Sequence, residues 1–150
     1  MSRKTIILLF ILIILPVVIY LIWPTDEARI KKLIKEAISA VEKEDIDGVM
    51  SKVSFNYHDE YGQSYLLLKR NLERQFRRFS DIEVEYENLE IEVKDDTATA
   101  SMDMRVIATL GEDRGYFLGD IKEPVHLVLE FEKTPVKKWL VLKASGFDYW

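Results

Sequence analysis

At 150 residues with no cysteine, the chain is long enough for one folded domain, and it excludes disulfides, thiolate metal sites, a cysteine nucleophile and the lipidated cysteine of a lipoprotein. Arg3 and Lys4 are the only charged side chains before Asp26, so the overall net charge of −5 becomes −7 over the remainder. An acidic domain does not suit general nucleic-acid binding, which needs clustered positive charge, and it is repelled by anionic lipid. Any membrane link is therefore expected from an apolar segment rather than from the domain's surface.

Such a segment opens the chain. No charge occurs from Thr5 to Trp23. A helix of about 19 residues, rising about 1.5 Å each, just spans roughly 30 Å of hydrocarbon. Ile6, Phe10 and Ile14 lie in this run, Pro16 is a candidate kink, and Tyr20 and Trp23 stand where aromatic rings favour the headgroup layer. A cleavable signal has a shorter apolar core and small residues at the cut, and Tyr20-Leu21-Ile22-Trp23-Pro24 offers none. The expected organisation is a cytoplasmic tail at 1–4, a transmembrane anchor at 5–23 and one domain at 24–150. Arg3 and Lys4 mark the short side as cytoplasmic. Arg29, Lys31, Lys32 and Lys35 argue the opposite, but long domains cross largely regardless of charge, so the domain is expected on the extracytoplasmic, periplasmic side.

Three helices are expected next. Ile30, Leu33, Ile34, Ala37, Ile38 and Val41 fall on one face of a helix over 26–43, with Thr25 as its cap. Asp45 caps a short helix carrying Ile46, Val49, Met50 and Val53. After a loop at 54–63, Ser64 caps a third helix running to Phe79. Its inner side is Tyr65, Leu68, Leu72, Phe76 and Phe79, and its back is basic through Lys69, Arg70, Arg74, Arg77 and Arg78.

The period then changes to two. Ile82, Val84 and Tyr86 alternate with glutamates, as do Leu89, Ile91 and Val93, but the phase slips by one residue at Glu87-Asn88. A slip reverses the faces, so a continuous strand must bulge there. Asp95-Asp96 turns into a long strand with Ala98, Ala100, Met102 and Met104 on its inner face. Gly111 to Pro124 reads as a loop, with an apolar tip at Tyr116, Phe117 and Leu118. Val125 to Glu132 alternates again, Thr134-Pro135 turns the chain, and a last strand runs from Lys138 to Tyr149. Three helices followed by about four antiparallel strands define an α+β domain.

The segments EKEDIDGVMSKVSFNYHDEYG, IEVEYENLEIEVKDDTATASM and WLVLKASGFDYW together resemble the nuclear transport factor 2-like superfamily, the cone-shaped fold shared with ketosteroid isomerase. The likeness spans roughly Asp26 to Trp150 and is similar to membrane-tethered or secreted bacterial members. It implies a curved sheet wrapped around helices, with a pocket at the open end. Isomerase-type members use an Asp base facing a Tyr/Asp oxyanion site, and dehydratase-type members use a His/Asp pair with tyrosines. The inner sheet face here carries Ala, Met, Val and Leu and no carboxylate, while Asp103, Arg105 and His126 have outer-face parity, so neither set maps onto it.

The best polar cluster is Tyr57-His58-Asp59-Glu60-Tyr61. Tyr57, His58, Asp59 and Tyr61 are the ligand-binding candidates, and His58 with Asp59 is the candidate acid–base pair. A metal site is not expected, because consecutive residues rarely converge on one ion. No cofactor motif occurs. The expected function is a membrane-anchored interaction module: an accessory subunit of an integral-membrane complex, or a homodimer, with Tyr116, Phe117 and Leu118 as partner contacts. The alternative is a small-molecule-binding or lyase/isomerase-type enzyme using the cone pocket.

Overall fold

The computed structural model describes residues 3–146. Helix α1 runs from Arg3 to Ile22, continuous through Pro16, and is long and apolar enough to cross a membrane. None of its described side chains is buried in the domain.

Helix α2 (Asp26–Glu42) begins where sequence chemistry places it, because Thr25 Oγ1 accepts the backbone N–H of Ala28 at 3.2 Å. Asp45 caps α3 (Ile46–Met50) by accepting from Gly48 N–H at 3.0 Å. Helix α4 (Tyr65–Arg78) starts after Ser64, but the Ser64 hydroxyl makes no capping bond, contrary to expectation. Only its backbone carbonyl engages the helix, at Leu68 N–H.

Five antiparallel strands follow: β1 (Ser80–Lys94), β2 (Thr97–Leu110), β3 (Asp113–Leu118), β4 (Val125–Lys133) and β5 (Trp139–Ser145). Their order is β1-β2-β4-β5. Strand β2 pairs with β1 along one side. Along the other it pairs with β4 from Thr97 to Met104 and with β3 from Val106 to Leu110.

Strand β3 corrects the expected loop over 111–124. Because β4 reaches only Met104, the far half of β2 would otherwise have unpaired backbone groups. Gly111, at φ 66, turns the chain back so that residues 113–118 supply those bonds. The expected end of the last strand near Tyr149 lies outside the described residues.

The phase slip in β1 is a bulge. Glu87 faces Asp103 and Glu90 faces Ser101, so two residues oppose Met102 alone, and Asn88 takes φ 55. Asn is among the few residues that adopt this left-handed conformation at low cost. The bulge keeps both halves of β1 facing inward. Tyr86, Leu89, Ile91 and Val93 all pack against the core.

Ile30, Leu33 and Ile34 of α2 meet Ala100, Met102, Leu127 and Phe131 of the sheet. Ala98 and Ala100 of β2 are buried in the same core, while α2 makes its closest approach to β1. The open edge of β5 is covered by the segment after α3: Ser54 N–H donates to Val141 O at 2.9 Å, and Val141 N–H donates to Lys52 O at 2.8 Å.

Candidate functional site

Residues 57–63 wrap one buried carboxylate. Asp59 is 1% exposed. Its Oδ2 accepts the Tyr57 hydroxyl at 3.0 Å, and its Oδ1 accepts the backbone N–H groups of Tyr61 and Gln63, both at 3.0 Å. Buried carboxylates need such partners, and these bonds fix the loop that delivers the chain into α4. His58 points outward; its backbone N–H donates to Leu142 O at 3.2 Å. No hydrogen bond among the described residues joins its ring to Asp59. The two residues are adjacent in sequence but separated by burial. Tyr61 is exposed and Tyr57 is buried in the core.

A second feature is the outward half of α4. The helix turns Tyr65, Leu68, Leu72 and Phe76 toward the domain. Its exposed positions are Leu66, Leu67, Arg70, Arg74, Arg77 and Arg78. No carboxylate is among them. Among the described residues no ion pair engages these arginines; Arg74 bonds Asn71 Oδ1 at 2.7 Å, and Arg78 lies 5.5 Å from the Phe79 ring centroid. A solvated face ordinarily mixes charges of both signs, so leucine with unpaired arginine is unusual.

This face continues past the end of α4. A groove of about 490 Å³ is lined by Arg78, Phe79, Leu110, Arg114, Tyr116 and Phe117, among others. Phe117 packs on Phe79 with ring centroids 4.2 Å apart. Tyr116 and Leu110 remain exposed beside it. Of the apolar tip, Tyr116 thus stands at the surface, Phe117 is half-buried in the groove wall, and Leu118 pairs with Val106.

The outer sheet face holds a network that strand parity alone did not reveal. Asp103 and His126 are directly opposite across β2 and β4. His126 Nδ1 lies 2.9 Å from Asp103 Oδ1, and Asn88 Nδ2 donates to Asp103 Oδ2 at 2.8 Å. Beside them Arg105 bonds Glu87 at 2.9 Å and the Asp120 carbonyl at 2.7 Å. The Asn88 amide and then the His126 ring hold the Asp103 carboxyl below its usual range. The cluster faces away from the helices, outside the concave interior. Among the described residues no group of three or more His, Asp or Glu is placed to hold a metal ion.

This architecture is that of the nuclear transport factor 2-like proteins. A proposed aromatic ring hydroxylase from Novosphingobium aromaticivorans superposes with a TM-score of 0.67 at 16% identity, covering 79% of this chain and 85% of its own. A dehydratase proposed within the NTF2-like family of Streptomyces avermitilis gives 0.65 at 14% identity, covering 81% and 95%. An NTF2-like protein with a cystatin-like fold from N. aromaticivorans gives 0.61 at 15% identity, covering 79% of each chain. No family model and no curated protein matches the sequence. At these identities the likeness establishes the fold, and function must be argued from the site.

Proposed function

We propose that this chain is a membrane-anchored interaction module, with α1 retained as a single-pass anchor and the domain presented on the extracytoplasmic side to an acidic partner, as an accessory subunit of a membrane complex. The observation that carries this reading is the exposed half of α4. Two leucines and four arginines that have no ion-pair partner among the described residues, continuous with the groove beside Tyr116, form a surface with the composition of an interface. An acidic segment with an apolar anchor would satisfy both the charge and the groove.

The test is purification of the full chain from native-level expression in mild detergent, beside an Arg70→Glu/Arg74→Glu variant and a Lys94→Glu control on an exposed site elsewhere. A stoichiometric partner that is lost with the arginines and kept with the control supports the module. A chain that runs as a free monomer in all three would sink it, and a self-associating chain would redirect it to a homodimer. Mass measurement of the mature protein decides whether α1 is retained or removed as a signal sequence.

A second reading is a small-molecule site of lyase or isomerase type. Its support is the structural likeness to the proposed dehydratase and the groove lined by Arg78, Arg114 and Tyr116. His58 and Tyr61 are exposed but do not line this groove, and the Asp59 oxygens are already occupied. A ligand screen by thermal shift, repeated on Tyr116→Ala, would separate this reading from the first.

A further inference from the structure

We propose that the cleft between the end of α1 and the domain is a binding site for the headgroup phosphate of an anionic phospholipid. The proposal rests on the reading of α1 as a retained anchor. The cleft is about 570 Å³ and is lined by Tyr20, Trp23, Asp26, Arg29, Lys133 and Lys137, among others. Only Trp23-Pro24-Thr25 separates α1 from α2, so the cleft opens where an inserted α1 would leave the hydrocarbon and enter the headgroup layer.

Its charge suits a phosphate. Three cations line the cleft against one carboxylate, which leaves it net positive even with Lys133 and Arg29 beside Asp26. Asp26 Oδ2 accepts from Lys133 Nζ at 2.9 Å, and its Oδ1 accepts from Trp139 Nε1 at 3.0 Å. The Arg29 guanidinium also lies 4.0 Å from Asp26 Oδ1 and 5.9 Å from the Trp23 ring centroid. Lys138 extends the positive rim along an adjoining groove, in which Lys32 and Lys52 pair with Glu36.

The turn between β4 and β5 completes the site. Thr134 N–H donates to Lys138 O, and Lys137 N–H donates to Thr134 O, both at 2.8 Å. Thr134 Oγ1 accepts Lys138 N–H at 3.1 Å. This holds Val136 at the tip, 82% exposed, next to Lys137 and Lys138, neither of which has a carboxylate partner among the described residues. An exposed aliphatic side chain beside two cations can rest on the acyl boundary while the lysines reach phosphates. The acidity of the rest of the domain does not oppose this, because surface charges more than about 8–10 Å away are screened at physiological salt. The membrane link then includes the domain's surface as well as the apolar run.

The experiment uses the full chain in lipid nanodiscs, of phosphatidylcholine alone or mixed with phosphatidylglycerol. The native sequence has no cysteine, so Val136→Cys gives a single site for a polarity-sensitive dye. The expected result is emission shifted to shorter wavelength in the anionic discs, not in the neutral ones, and loss of the shift in the Lys137→Glu/Lys138→Glu background. Equal emission in both lipids overturns the proposal. A shift in neutral discs on adding inorganic phosphate also overturns it, because the site would then take free phosphate. Carbonate extraction of cell membranes separates the two readings. A chain that resists extraction but lacks the lipid-dependent shift sinks this site alone, whereas a chain that carbonate releases sinks the anchor and the site together.

Discussion

The carboxylate of Asp26 accepts the indole N–H of Trp139 at 3.0 Å, joining the first residue of α2 to the first residue of β5. The same carboxylate pairs with Lys133 at the end of β4. Three elements remote in sequence thus meet at the point where the apolar helix leaves the domain. Trp139 is buried, and its N–H finds its partner in Asp26.

Asp26→Ala should therefore cost about 1–3 kcal/mol, the range for leaving a buried donor unpaired. Asp26→Asn, which keeps an acceptor oxygen but not the charge, should cost less. The hydrogen bond from Lys133, and then that from Trp139, hold the Asp26 carboxyl below the ordinary aspartate value of 3.8. A depressed folded-state value means that the carboxylate's contribution is fully present above 3.8 and is lost as pH falls through the folded value. Denaturation of wild type and Asp26→Asn in mild detergent should show a gap at neutral pH that closes in acid. A gap independent of pH would contradict the ion pair.

Gly146 should tolerate no side chain. It has φ +106, and a Cβ there would collide with the His126 carbonyl oxygen. The obstacle is backbone in β4, which cannot swing aside as a flexible side chain can. Gly146→Ala should cost about 3 kcal/mol or more and lower the unfolding midpoint measured by circular dichroism.

The bulge at Asn88 makes a sharper comparison. Asn88→Gly keeps the left-handed conformation and loses only the bond to Asp103, whereas Asn88→Val must also strain a β-branched residue at φ 55. The valine variant should be the less stable by about 1–2 kcal/mol. Equal stability of the two would mean that the bulge relocates.

Tyr57→Phe removes a hydroxyl donor from the buried Asp59 and should cost about 1–3 kcal/mol. His58→Ala, at an exposed position, should change stability by less than about 0.5 kcal/mol. Paired denaturation curves check both. His58 lies outside the groove beside Tyr116, so ligand binding in that groove should survive His58→Ala.

Much of the fold was legible in the sequence because it depends on local periodicity. The stripe from Ile30 to Val41 predicts α2. The slip at Glu87-Asn88 predicts the bulge, since parity must be restored for Leu89, Ile91 and Val93 to face the core. Strand β3 was hidden because Asp113–Leu118 has little alternation and two glycines flank it. It forms because β2 outruns β4. The His58–Asp59 neighbourhood invited an acid–base pair that the structure separates, while Asp103 and His126, 23 residues apart, are brought together by register.

The apolar helix, the α+β order, the helix starts at Thr25 and Asp45 and the basic back of α4 can all be read from the chain alone. Each follows from residue type and spacing within a few turns of chain. Which charges meet is a property of the folded chain. Lys133 and Trp139 converge on Asp26, and among the described residues the arginines of α4 have no ion-pair partner, although the chain carries more acidic residues than basic ones. Strand register and helix packing set those distances, and composition does not contain them.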